Sequence, residues 1–184
     1  MRDRFYDVLR EELDADPRVA AVTADIGSAV IGPHARHYNV GIREQLLIGV
    51  AAGLALEGYR PVAHSYAPFL VERPYEQIKL DLGHQDLGAV LVSTGASYDA
   101  ASEGRTHQAP EDVAALAALP GWTIHVPGHR EELERLFRAA LRGDDRVYIR
   151  LSEEENHARV DGDGRLLVLR RGGADAPLVL AVGP

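Results

Sequence analysis

The chain has 184 residues, 46% hydrophobic and 26% charged, with a formal net charge of −8 and no cysteine. That length allows one sizeable globular core and part of a second unit, and the missing cysteines exclude disulfides, thiolate metal sites and a cysteine nucleophile. The acidic balance, relieved by no basic cluster, argues against nucleic acid as a partner, and the charged opening MRDRFYDVLREEL reads as a helix and not a secretory signal, so the expected compartment is the cytoplasm.

Strand and helix patterns alternate along the chain. FYDVLREELDAD is an amphipathic helix stopped near Pro17. RVAAVTAD (18–25) is an apolar strand, and HYNV (37–40) is a short one. A helix follows over 43–57, ended by Gly58. Its stretch LLIGVAAGLAL, residues 46–56, carries no charge and is expected to be buried, as a core helix or an interface helix. It falls short of the roughly 20 residues that span a bilayer, so no membrane is expected as a partner. PVAHSY (61–66) is a strand, and PFLVERPYEQIKLDL has helical spacing interrupted by Pro74. GAVLVST (88–94) is a continuous apolar strand, and EDVAALAAL is a helix that stops at Pro120-Gly121. WTIHVP is a strand, HREELERLFRAALR a strong helix, and RVYIRL (146–151) a last strand. This alternation predicts an α/β three-layer sandwich: a mostly parallel sheet of about six strands with helices on both faces. The polar run 152–165, with three successive acids, reads as a solvated linker after a first domain over 1–151. LLVLRR and PLVLAVGP look strand-like, so 166–184 is expected to begin a second domain.

Sites in open α/β sheets gather at the carboxyl ends of strands. Four loops qualify: 25–28, 39–45, 66–69 and the small-residue loop TGASYDAASEGRTHQAP over 94–110, whose length suits a functional loop. None holds a nucleotide fingerprint, and no HExxH pair or GxSxG elbow occurs. Glu44 is the single acid at the mouth of the apolar helix. An acid there complements the helix dipole, which is the plain reading. In apolar surroundings it must instead find a partner or hold a proton that it can give away. His107 alone is an ordinary loop histidine, and Tyr66 and Phe69 alone are an ordinary core pair. Gly49 and Gly53, with Ala51, Ala52 and Ala55, make a close-packing surface or a subunit interface.

Taken in order, NVGIREQLLIGVAAGLALEGYRPV, SYAPFLVERPYEQIKLDL and EGRTHQAPEDVAALAALPGWTIHVP resemble the pyrimidine-binding domain of the transketolase family. The likeness is closest to the carboxy-terminal half of transketolases, including those split over two chains. It runs over residues 1–151, and PLVLAVGP resembles the first strand of the family's third domain. The resemblance implies thiamine diphosphate as cofactor. The family's glutamate, matched by Glu44, hydrogen-bonds N1′ of the aminopyrimidine and promotes the imino tautomer that activates thiazolium C2. Phe69 is implied to stack on the pyrimidine and Tyr66 to line its pocket. His107 is implied to face the thiazolium and the reacting sugar, with Arg2, Asp25, Ser28 and Glu103 near the substrate.

The family holds the diphosphate through magnesium on a separate domain that carries a GDG…N motif. The GDG at 162–164 here has no Asn after it and reads as a turn. The chain is therefore implied to hold no metal itself and to supply half a site. A diphosphate-binding domain or subunit would complete it, in a homodimer or heterotetramer. Three departures bear on the substrate: Gly95 stands near a phosphate-binding His, Glu103-Gly104 replaces a DG pair, and Ser152-Glu153 replaces a phosphate-binding Arg. The expected activity is two-carbon ketol transfer on a sugar or keto substrate, phosphorylated or not. The alternatives are a deoxyxylulose-phosphate synthase, a 2-oxo-acid dehydrogenase β subunit, or a non-catalytic module that keeps the fold. FLVERPYEQ and the EGRTHQ spacing favour transketolase over the other two enzymes.

Overall fold

A computed structural model describes residues 1–160, 168–173 and 175–184. Helix α1 (Arg2–Ala15) leads into β1 (Val19–Thr23) and the one-turn α2 (Ser28–Ile31). β2 (His37–Asn39), α3 (Glu44–Leu56) and β3 (Arg60–Tyr66) follow. A π-helical turn (Pro68–Glu72), the short α4 (Tyr75–Gln77) and a second π-helical stretch (Ile78–His84) reach β4 (Val90–Thr94). Two 3-10 turns (Ala101–Glu103 and Arg105–His107) precede α5 (Asp112–Ala117), β5 (Trp122–His125), α6 (Arg130–Arg142) and β6 (Arg146–Arg150). The strands form one parallel sheet in the order β2-β1-β3-β4-β6-β5, so the predicted α/β sandwich is present.

The sheet is covered on both faces, which is why β1 and β4 are buried at every residue. Phe5, Leu9 and Leu13 of α1 meet Leu133, Phe137 and Leu141 of α6 over Val62, Val90 and Val92. Each helix repeats its apolar residues every fourth position, which lines them up as one inward stripe. Leu47, Ile48 and Ala51 of α3, with Leu70, Ile78 and Leu82, cover Ala63, Leu91 and Tyr148 on the other face. β1 leads outward to β2 at the edge, and the next connection crosses back to β3 on the far side of β1. The strand order thus reverses between β1 and β3, and in open α/β sheets ligands bind outside the carboxyl ends at such a switch point.

Four elements differ from expectation. α2 was too short for periodicity to show. PFLVERPYEQIKLDL is not one helix: Pro74 has no N–H to give, and the turn before it closes wide, from Arg73 N to Pro68 O at 3.1 Å. α3 is not buried all round, because within this chain it has two faces. Glu44, Leu47, Ile48, Ala51 and Ala52 point inward. Leu46 (48% exposed) and Leu56 (63%) stand open, with Ile42 (71%) just before the helix. Finally, residues 168–171 and 177–184 lie in no strand. Leu178 and Val179 are exposed there, and a strand without a pairing neighbour has no ladder to hold it. The predicted turn at 162–164 lies outside the described residues. Of the three acids at 153–155, Glu153 and Glu154 are solvated as expected. Glu155 instead binds the Arg130 guanidinium at 2.8 Å through both oxygens, which pulls its pKa down to about 2.

Candidate active site

Glu44 begins α3, just beyond the carboxyl end of β2 and in the crossover from β2 to β3. It is 1% exposed. Of the two outcomes expected for a buried acid, Glu44 finds a partner: Arg73 Nη1 donates to Glu44 Oε2 at 2.7 Å. The same guanidinium lies over the Phe69 ring, with Cζ 4.1 Å from the centroid, a cation–π contact. Gln45 fixes the segment by donating from Nε2 to the Arg73 carbonyl at 3.1 Å. Periodicity does not single out Arg73, because a residue in a widened turn beside a proline falls out of the 3.6-residue count.

Tyr66 ends β3, and Phe69 lies in the π-helical turn after it. Their rings meet edge to face with centroids 6.2 Å apart. The His107 imidazole packs edge-on against both, at 5.9 Å from Tyr66 and 4.9 Å from Phe69. Residues chosen from separate loops are thereby brought together. Gly95 makes room for them. Its φ is +72°, and a Cβ there would stand 2.5 Å from Tyr66 Cδ1, so a side chain meets both backbone strain and a ring.

A buried polar network steadies the loop that carries His107. Arg150 Nε, at the end of β6, donates to both Asp112 oxygens at 3.0 and 2.8 Å, and its Nη2 donates to Ser97 Oγ at 2.7 Å. Tyr148 donates its hydroxyl to Asp112 Oδ2 at 2.6 Å and meets Ser93 Oγ at 2.7 Å. Burial, with the Asp112 carboxylate beside it, pushes the Tyr148 hydroxyl well above its usual pKa, so it remains a donor. Ala109 N then closes the loop onto Ser97 O at 3.0 Å. His107 itself touches the Thr106 hydroxyl through Nδ1 at 3.0 Å. The segment after β6 caps the same loop, with Ser152 Oγ and Glu153 N both donating to the Asp99 carboxylate. The sequence signal for this network was an acid two residues after Pro110 and an Arg at a strand end, which is too common a pattern to read alone.

Asp25 and Ser28 lie at the carboxyl end of β1. Asp25 holds a left-handed φ of 65°, and Asn39 fixes it through two hydrogen bonds of 3.0 Å. Ser28 Oγ meets Thr23 Oγ1 at 2.6 Å. Arg2 stands exposed in the first turn of α1, and Glu103 stands exposed in the first 3-10 turn. No hydrogen bond, ion pair or ring contact among the described residues joins Arg2 or Glu103 to Glu44, Tyr66, Phe69 or His107.

Known proteins agree with this layout. The family "Transketolase, pyrimidine binding domain" matches residues 1–157. An "uncharacterized 33.6 kDa protein in fasciation locus" of Rhodococcoides fascians is 49% identical, over 98% of this chain and 59% of that protein. The "6-deoxy-6-sulfo-D-fructose transketolase subunit SqwH" of Clostridium sp. (strain MSTE9) is 32% identical, over 94% of this chain and 57% of that protein. A 1-deoxy-D-xylulose-5-phosphate synthase of Anaeromyxobacter dehalogenans is 37% identical, over 80% of this chain and 24% of that protein. Among solved structures, "Split gene transketolase, inactive beta4 tetramer" superposes with a TM-score of 0.75 at 28% identity, covering 90% of this chain and 55% of that one. The chain therefore spans less than two thirds of each of these relatives. On the match over 1–157 and the parallel sheet that carries it, the chain belongs to the transketolase pyrimidine-binding domain family.

Proposed function

We propose that this chain supplies the aminopyrimidine half of a thiamine diphosphate site for two-carbon ketol transfer. One observation carries the reading: an almost fully buried carboxyl, Glu44, and an aromatic face, Phe69, meet the same Arg73 guanidinium at the switch point of the sheet. These residues fit an aminopyrimidine. Such a ring needs one carboxyl at its N1′ edge and one apolar face to stack on, in a place that excludes water. When bound, the cofactor supplies a carbon nucleophile for cleavage beside a carbonyl. Glu44 would hold the proton at N1′, Phe69 would stack on the ring, and Tyr66 would line the pocket. His107 would act on the substrate side, with Asp25, Ser28, Arg2 and Glu103 as further substrate contacts.

The diphosphate and its magnesium belong to a partner: a GDG…N-bearing domain or subunit, joined in a homodimer or heterotetramer. Among the described residues no group of three His, Asp or Glu stands ready for a metal ion. The open apolar face of α3, with Ile42, Leu46 and Leu56, suits that association. The substrate is a sugar or a keto compound. Phosphate is poorly served, because Ser152 and Glu153 are bonded to Asp99 and Gly95 is packed against Tyr66. The domain over 1–151, the link over 152–165 and a further domain from 166 belong to the same reading, as does a cytoplasmic enzyme. No helix among the described residues is long and apolar enough to cross a membrane.

The test is Glu44→Gln in the assembled enzyme. The expected loss is about 10²- to 10⁴-fold in turnover, the range of a positioned proton-transfer group, with the complex and its melting point kept. Unchanged turnover would leave only an assembly role.

A further inference from the structure

Arg73 makes two contacts at once, and they are the two that the proposed function assigns to the aminopyrimidine. It hydrogen-bonds the Glu44 carboxylate at 2.7 Å, and it covers the Phe69 ring at 4.1 Å. A guanidinium is planar and rich in N–H donors, so it matches a flat ring in shape and occupies the Glu44 carboxylate, although it donates where a ring nitrogen would accept. We propose that Arg73 is a placeholder: in the chain without cofactor its guanidinium fills the aminopyrimidine subsite, and cofactor loading must expel it. The inference rests on the thiamine diphosphate reading.

Burial supplies the reason. A carboxylate as enclosed as Glu44 is costly without a partner, and Arg73 is the partner that holds it while the subsite is free. The arginine side chain is 38% exposed, against 2% for Glu44, so Arg73 has a route out to water and Glu44 has none. The anchor beneath it stays in place, because Gln45 holds the Arg73 backbone carbonyl and not its side chain. The exchange also changes the chemistry of Glu44. Bonded to a guanidinium, the carboxylate only accepts; to donate to a ring nitrogen it must trade that cation for a proton.

The test measures binding, not turnover. The full chain is titrated calorimetrically with 4-amino-5-hydroxymethyl-2-methylpyrimidine, the cofactor's ring fragment, which needs no diphosphate site. A subsite open only a tenth of the time weakens apparent affinity about tenfold. Arg73→Ala is therefore expected to bind the fragment about tenfold more tightly than the unaltered chain. Arg73→Lys keeps the charge without the planar fork; it is expected to fall between the two, and it carries the test if Arg73→Ala does not fold. Equal or weaker binding by the Arg73 variants, together with loss of binding in Phe69→Ala, would overturn the placeholder and leave the pyrimidine subsite standing. Binding by none of the proteins at millimolar fragment would overturn both.

Discussion

His64 shows how one residue couples the core to pH. It lies in the middle of β3 and is 1% exposed. Nδ1 donates to Val92 O at 2.7 Å, which leaves Nε2 to accept from the Tyr6 hydroxyl at 3.0 Å. Both nitrogens of the neutral ring are satisfied, and burial pulls the pKa down to about 4. The folded value is depressed below the ordinary 6.5, so the stabilisation is complete above 6.5 and is lost as pH falls toward 4. A difference of that size corresponds to about 3 kcal/mol. Urea unfolding at pH 7, 5.5 and 4.5 should show that decline. His125 is depressed by burial as well, so the comparison is with His64→Gln, which should flatten most of the slope. An unchanged slope would place the titration elsewhere. Glu44 was legible from its lone charge in an apolar helix. Arg73 and His64 were not, since a partner and a depth exist only once distant segments meet.

At the scale of elements, the site depends on turns more than on strands. The wide turn before Pro74 places Arg73 on Glu44 and Phe69, while the bend at Gly95 sets the wall behind Tyr66. Gly95→Ala is expected to cost about 1–3 kcal/mol, since it adds left-handed strain to a 2.5 Å clash with a ring. It should weaken cofactor-fragment binding in the same step, because a displaced Tyr66 moves Phe69 and His107 with it. Thermal melting and titration of that variant check both; a native melting point with native binding would show that the rings absorb the methyl. The six strands of the sheet were read to within one or two residues, because continuous apolar runs bounded by Gly and Pro leave few choices; the apolar runs at 168–171 and 177–184 form no strand. The π-helical segments were not read, because helical spacing in sequence carries no mark of how wide a turn closes.

For the whole molecule, the open face of α3 is the feature that one chain does not explain. Ile42, Leu46 and Leu56 are apolar and exposed, whereas the opposite side of the helix is packed on the sheet. A charge placed there leaves the fold alone and meets whatever covers the face. Leu46→Glu is expected to keep the stability of the chain within about 0.5 kcal/mol. It should reduce association with the proposed diphosphate-binding partner, or with a second copy, by at least about tenfold, as burying an unpaired charge at a contact does. Sedimentation velocity of the variant with its partner reads both outcomes. Undiminished assembly would move the interface to another face.

The sequence by itself determined the fold class, the order of the strands along the chain, and the loops from which Glu44, Tyr66, Phe69 and His107 come. Those follow from local pattern: apolar period, turn residues and a lone charge are properties of neighbours in the chain. The tertiary structure alone decided what those residues touch. It set Arg73 against Glu44, buried His64, tied Arg150 to Asp112 and left one side of α3 open. Each of these joins groups at least 28 residues apart or weighs a surface against its cover. No local pattern encodes such contacts, because they arise only when the sheet brings distant segments of the chain together.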